Sequence, residues 1–412
     1  MSSWNIADII HGEHIVTRFQ PLLSLKRGTV VGVEALSRGV DPATGTWIPP
    51  NELFGQAEQQ GLGLALDRVC RKRAFEGFAS DVSGDVNLLS VNLDTSYIDH
   101  HIAGSRYLLR QVQRAGVAPN RVVLEILESQ NTDLDALLQV VAFYRQRNFL
   151  IALDDVGSGF SNLDRICLIQ PDILKMDRSL VDRVDQHFHK QELIRSFVQL
   201  GSRIGSQVVA EGVEREEEVL CLLDLGVEFF QGFYFARPEP GLGRIQEIST
   251  KMEWITRNYR QQCNQSIQEK HAARETYTQI MDRIVADLEH SAPEEMDSVL
   301  ARYIESEQPV ECLYVLDSSG IQISMTICDT QRLRTSHQML YEPAKKGADH
   351  SLKAYYMALN AGRAEYSTEP YISLASGNAC VTFSRYVGHS GWGQGIILCA
   401  DIVKDNAGVL VS

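Results

Sequence analysis

The chain has 412 residues, enough for two or three domains of ordinary size. Its 39 Lys and Arg face 53 Asp and Glu, and a formal charge of −14 argues against a surface built to neutralise a nucleic acid polymer. A content of 44% hydrophobic and 22% charged residues excludes a disordered chain, and no run of about 18 apolar residues offers a membrane span.

The opening segment, MSSWNIADIIHGEH, lacks a basic stretch followed by an apolar core, so no secretory signal is read. Two strand patterns follow, at 15–25 (IVTRFQPLLSL) and 29–39 (TVVGVEALSRG). Only Lys26, Arg27 and Gly28 separate them, too few for a parallel crossover, so the first strand is expected to run antiparallel to the second. Six more runs of Val, Ile, Leu and aromatic residues lie at 85–94, 121–129, 149–157, 172–177, 207–214 and 228–236. Between them, apolar residues recur every three or four positions over 134–148 and 190–205, the period of helices. Eight strands with intervening helices predict an α/β fold, a modified TIM (β/α)8-type barrel with an antiparallel first strand. A doubly wound open sheet is the alternative.

After Pro238, Pro240 and Gly243 the texture changes, and residues 244–292 contain neither Gly nor Pro. Ile245, Ile248, Met252, Ile255 and Tyr259 form an apolar stripe that resumes at Tyr277, Ile280, Ile284 and Leu288. Such a seam suits a helix lying on its own barrel or on a helix of a second copy of the chain. From 293 onward a smaller α+β domain is expected, with strands around the turn Asp317–Gly320, a helix at 351–362, and strands within 371–387 and 391–403. The predicted domains are therefore 1–243, a helical linker 244–292, and 293–412. Eight cysteines, Cys70, Cys167, Cys221, Cys263, Cys312, Cys328, Cys380 and Cys399, are scattered without a CxxC pair. They are expected as buried thiols of a reducing, cytoplasmic compartment.

Barrels of this kind carry reactive residues at the carboxyl ends of their strands. Glu34, Asn92, Glu125, Asp154, Asp155 and Glu211 stand there, with Glu128 and Glu214 three residues beyond two of them. Carboxylates converging on one rim repel one another unless a cation neutralises them. The donors are all oxygen, which suits Mg²⁺ or Mn²⁺ rather than zinc, and the adjacent Asp154 and Asp155 can reach two ions. Two-metal clamps recur in phosphodiester cleavage, and Lys175 brings a cation to the same rim. Taken singly, Asp154-Asp155 also reads as an Asx-rich turn and Lys175 as a salt-bridge partner of Asp177.

These residues sit in segments that resemble the EAL family of cyclic di-GMP phosphodiesterases: GVEALSRG at 32–39, FQPLLSL at 19–25, SVNLD around Asn92, LEILE, DDVGSGFSNLDRI, PDILKMD, VVAEGVE and QGFYFARP. The resemblance spans about residues 14–240. It implies that Glu34, Asn92, Glu125, Asp154, Asp155 and Glu211 are metal ligands, with two Mg²⁺ or Mn²⁺ ions per site, and that Lys175 positions the nucleophilic water. Glu128 would hold the loop after Asp154-Asp155. Leu36 and Arg38 would contact the dinucleotide, Gln20 and Gln231 would lie on the substrate side, and Glu214 and Ser158 would support the ligands. The implied reaction is hydrolysis of cyclic di-GMP to linear pGpG; the alternative is a silent receptor that relays binding through the helical segment. Val156, Ser158 and Phe160 depart from the family's usual Phe, Thr and Tyr. The family's habit of pairing implies a homodimer. Residues 297–412 resemble the PAS/Cache-type domain found in YkuI-type architectures, which implies a small ligand or dimer contacts, with Lys353, Tyr355, Arg363, Tyr371 and Asp401 as candidate pocket residues. His187 and His189 are expected in a solvated loop.

Overall fold

A computed structural model describes residues 4–82, 86–94, 106–127, 133–158, 163–241, 243, 245–306, 310–331, 342–388 and 395–403. The chain forms two compact units, residues 1–260 and 261–412. In the first, β1 (Ile15–Ser24) and β2 (Thr29–Val40) make an antiparallel hairpin, turned by Gly28 at φ +65°. A two-residue strand, β3 (Trp47–Ile48), adds to the end of β2. Then come β4 (Leu88–Leu93), β5 (Val122–Ile126), β6 (Leu150–Val156), β7 (Ile173–Met176), β8 (Gln207–Ala210) and β9 (Phe229–Phe230). From β2 through β9 the neighbours β2, β4, β5, β6, β7, β8 and β9 are parallel, and β1 is antiparallel to both β2 and β9. The ring of eight is closed, with the antiparallel first strand that the short 26–28 connection predicts.

The period of two along a strand builds the site on top of a plug. Leu22, Val123, Ala152, Ile173, Val209 and Phe229 form one buried cluster inside the ring. Each lies two residues from Gln20, Glu125, Asp154, Lys175, Glu211 or Gln231, and so faces the same way. Apolar side chains thus close the barrel beneath a layer of polar ones. A larger core between the strands and the surrounding helices includes Phe19, Phe75, Leu124, Leu153 and Phe230.

The helix Ile245–Glu289 is continuous through the predicted linker. Ile248, Met252 and Ile255 are buried in the core of the first unit, and Tyr277, Ile280, Ile284 and Leu288 in that of the second. These residues are therefore covered within the chain, the alternative in which the helix lies on the chain's own surfaces. The division between the two units falls within this helix, between Arg260 and Gln261.

The second unit holds an antiparallel sheet of β10 (Val310–Leu316), β11 (Ile327–Cys328), β12 (Glu365–Ser367), β13 (Tyr371–Ile372), β14 (Ala379–Val387) and β15 (Ile396–Val403). Its order is β11-β10-β15-β14-β12, with β13 on β14, and the helices Met296–Ser306 and Ala354–Asn360 belong to the same unit. The expected turn at Asp317 forms, its carboxylate accepting from the Ser319 and Ile321 N–H groups. The strand expected directly after it does not, and only an isolated bridge joins Leu316 to Gln322. The cysteine expectation fails at one pair: Cys312 and Cys328 face each other across β10 and β11 and form a disulfide. Cys167, among the remaining thiols, is exposed rather than buried. Among the described residues no helix is long and apolar enough to cross a membrane.

Candidate active site

β2 and the ring strands from β4 onward, or the residues directly after them, deliver polar side chains to the same mouth. Glu34 comes from β2, Asn92 from β4, Glu125 from β5, Asp154 from β6 and Lys175 from β7, while Glu211 and Gln231 follow directly on β8 and β9. At the centre, Lys175 Nζ lies 2.7 Å from Glu211 Oε1, 2.8 Å from Glu125 Oε1, 3.3 Å from Asp154 Oδ1 and 3.7 Å from Glu34 Oε2. The supposed partner Asp177 is not among them; its carboxylate caps the next helix by accepting from the Ser179 N–H. Asn92 Nδ2 donates to Glu34 Oε1 at 3.5 Å, and Gln231 Nε2 donates to Glu34 Oε2 and, at 3.3 Å, to Gln20 Oε1. Gln20 Nε2 in turn donates to the Ala236 carbonyl. Gln20 and Gln231 thus brace Glu34.

Asp154 and Asp155 are not a plain Asx turn. The β6–β7 register slips between Leu153 and Val156, a bulge that re-aims the two carboxylates. Asp155 sits at φ +55°, an uncommon conformation for a residue other than glycine, and Gly157 follows at φ +100°. A Cβ on Gly157 would come within 2.3 Å of the Leu180 side chain, so the loop needs glycine there. Val156, smaller than the family's Phe, is buried in the core.

Four carboxylates around one ammonium leave an excess of negative charge. Burial pushes the Glu211 carboxyl up to about 8 despite Lys175, and pushes Asp155, with Asp154 beside it, up to about 6. Glu125 is fully buried and is held well above the usual carboxylate range by desolvation. Burial opposes the charge on Lys175, but Glu125, Glu211, Glu34 and Asp154 outweigh it and keep the amine protonated. Among the described residues Glu125 Oε2 is buried without a hydrogen-bond donor. Carboxylate oxygens of Asp154, Asp155 and Glu211 all lie within 4.8 Å of one another. A buried, donor-poor set of carboxylates fits a hard divalent cation, with oxygen ligands only.

Beside the mouth, a cavity of about 480 Å³ is lined by Leu36, Arg38, Phe54, Asp67, Arg71 and Asn92 among others. Burial first, and then the neighbouring Arg18, lower the Arg38 pKa, while Glu34 acts in the opposite direction. Glu214 does not join the carboxylates; it pairs with Arg178 at 2.7 Å. Ser158 is exposed, its N–H donating to the Asp155 carbonyl at 3.2 Å. Glu128 and Phe160 lie outside the described residues. His187 and His189 are exposed at the start of a helix. Asp67 and Arg71 are absent from the expectations above. They belong to the helix Gly63–Gly77, whose buried stripe of Leu66, Cys70 and Ala74 was the available signal.

Residues 4–238 match the family described as EAL domain. The chain is 27% identical over 237 residues to the probable cyclic di-GMP phosphodiesterase PdeB of Escherichia coli, an alignment covering 57% of this chain and 45% of that protein. It is 28% identical over 249 residues to the cyclic di-GMP phosphodiesterase RocR of Pseudomonas aeruginosa, covering 57% of this chain and 61% of RocR. The chain thus spans about half the length of these curated relatives. The crystal structure of Bacillus subtilis YkuI, an EAL-domain protein in complex with c-di-GMP and calcium, superposes with a TM-score of 0.80 at 22% identity, covering 97% of this chain and 99% of YkuI. That likeness extends the shared fold through the second unit.

Proposed function

The chain belongs to the EAL-domain family, and on that premise we propose that it hydrolyses one phosphodiester bond of cyclic di-GMP to give linear pGpG. The observation that carries this reading is the excess of buried carboxylate around Lys175, a charge imbalance that a site for divalent ions resolves. The names of PdeB and RocR support the same reaction. Glu34, Asn92, Glu125, Asp154, Asp155 and Glu211 would hold Mg²⁺ or Mn²⁺, two in this reading, which when bound activate water and neutralise phosphoryl charge.

The chain's own groups do the rest. Arg38, on the cavity wall, binds a phosphate of the dinucleotide, and Leu36 gives its ring an apolar contact. Asn92 and Gln231 fix the Glu34 carboxylate by donating to both its oxygens. Lys175, held protonated, has only donors to offer, so it orients the oxygen of an attacking water and does not take its proton. Glu128, Glu214 and Ser158 remain supporting residues in this reading.

Residues 293–412 are read as a PAS/Cache-like regulatory domain, supported by the antiparallel sheet and its helices; Tyr371, through Thr382, reaches the buried Asp401. A homodimer and a cytoplasmic setting belong to the same proposal, and light scattering tests the first. Product analysis decides the main claim. Purified protein with Mg²⁺ or Mn²⁺ is expected to yield pGpG, and Glu34→Ala to abolish it. Binding of cyclic di-GMP without product under any divalent ion would replace the enzyme by a receptor.

A further inference from the structure

Glu218 does more than cap its own helix. In the helix Glu216–Asp224 it stands at the third position, where a carboxylate commonly reaches back to the cap residue, and its Oε2 accepts from the Arg215 N–H at 3.1 Å. Capping asks for no burial, and glutamate is rarely buried deeply, yet Glu218 is 1% exposed. Its other oxygen has a use that capping does not require. Oε1 accepts at 3.0 Å from the N–H of Arg183, 35 residues away in the connection that follows β7. Arg183 itself sits at φ +52°, a left-handed conformation that is strained for a residue with a side chain. Oε2 accepts in addition from the Glu214 N–H at 3.0 Å. Three backbone donors from two separate connections thus end on one buried carboxylate.

Those connections leave the two strands that deliver Lys175 and Glu211, whose charged atoms meet at 2.7 Å. The same connections touch at two further points. Gly212, at φ +65°, has no room for a side chain, because a Cβ there would come within 2.7 Å of the Arg178 stem. The Arg178 guanidinium then pairs with Glu214 at 2.7 Å, but an ion pair so exposed contributes little. The buried clasp is Glu218. We propose that Glu218 is a positioning residue for metal binding: by fixing the β8 connection against the β7 connection, it holds the Glu211 carboxylate beside Lys175 and within reach of Asp154 and Asp155. This deepens the proposed function and rests on its divalent-ion site.

The test measures Mn²⁺ binding by the full chain without nucleotide, from the paramagnetic resonance of the free ion. Glu218→Ala leaves the Arg183, Glu214 and Arg215 N–H groups without this acceptor. It is expected to weaken Mn²⁺ binding by about 10- to 100-fold, the usual effect of losing a group that orients a metal ligand. At saturating Mn²⁺, kcat and the KM for cyclic di-GMP should stay within about threefold of wild type, because the filled site restores its ligands. Glu218→Gln keeps one acceptor oxygen and should fall between the two. If Glu218→Ala does not fold, Glu218→Gln carries the comparison alone. Glu228→Gln alters a carboxylate at the opposite end of the barrel that accepts from Ser24 and Arg27, and it should leave Mn²⁺ binding unchanged. Folded Glu218 variants that melt at a lower temperature yet bind Mn²⁺ as wild type does would reduce Glu218 to a helix cap and leave the phosphodiesterase reading intact. Wild type that binds no Mn²⁺ would overturn this assignment together with the metal site it rests on.

Discussion

In the barrel, Glu34, Glu125, Asp154 and Glu211 crowd one ammonium, that of Lys175. In the second unit, Glu311 and Asp401 are just as deeply buried, and among the described residues no cation lies against either. Neutral donors hold them instead. Glu311, at a bulge in the β10–β15 register, accepts from Ser376 at 2.7 Å, from Cys380 Sγ at 2.9 Å and from Asn378. Asp401 accepts from Thr382 at 2.8 Å and Ser373 at 3.3 Å. A carboxylate surrounded by hydroxyl, thiol and amide donors is complete within the fold. Four carboxylates sharing one lysine are not, and that incompleteness marks the barrel mouth as the place where further cations belong.

The strongest way to break this contrast is to remove the lysine. Lys175→Met is expected to lower turnover by about 10²–10³-fold and to destabilise the metal-free barrel by about 3–5 kcal/mol, because a buried charge cluster loses the ammonium at its centre. Mn²⁺ should then raise the melting temperature of the variant more than that of wild type, since ions replace the missing positive charge. Equal shifts in the two proteins would mean that the mouth does not collect cations, and the contrast with the second unit would lapse.

The second unit can be probed without touching the barrel. Cys312 adjoins Glu311, and its disulfide to Cys328 ties the two-residue β11 to β10 across a sequence separation of 16. Closing a loop of that length contributes about 3 kcal/mol through the unfolded chain. Reductant should therefore lower the melting transition of the second unit in wild type but not in Cys328→Ser, with pGpG production unchanged in both. A wild-type melt indifferent to reductant would show that neutral hydrogen bonds alone secure this edge.

Much of the barrel was legible because its signals are local and repeated. Runs of branched residues gave the strands, and the three-residue 26–28 connection alone required the antiparallel start. The acidic rim was legible for the same reason: a strand's period of two turns a residue's place in a run into a direction. What escaped depends on contacts distant in sequence. Lys175 lies two residues from Asp177, yet its partners come from four other strands or their ends. Asp67 and Arg71 lie in a helix whose charges resemble a solvated face until the cavity beside it is seen. The turn at Asp317–Gly320 announced that the chain returns beside β10, but not the register that sets Cys328 opposite Cys312. In the long helix, the sequence pattern marked the stripe but not which of two surfaces would cover it.

The smallest of the expected effects concerns pH, and it separates the two ways of burying an acid. Burial pushes the Asp401 carboxyl up to about 6, against an ordinary value of 3.8, even though Thr382 and Ser373 donate to it. Glu311 adds to the same direction, and Tyr371, bonded to Thr382, is the nearest titrating hydroxyl. Because the folded state holds this proton more tightly than the unfolded one, the contribution is fully present below about pH 4 and is lost as pH rises through 6. A shift of about two pH units corresponds to about 2–3 kcal/mol over that window. Asp401→Asn imitates the protonated acid and keeps an oxygen for Thr382, so its stability should lack this slope and exceed that of wild type at pH 7. Denaturant melts at pH 4.5 and pH 7 measure the difference between the two proteins. Parallel curves would mean that Asp401 is as well satisfied when charged as when neutral, and that neutral donors suffice for a buried carboxylate at any pH. The barrel mouth would then be set apart by its crowding alone.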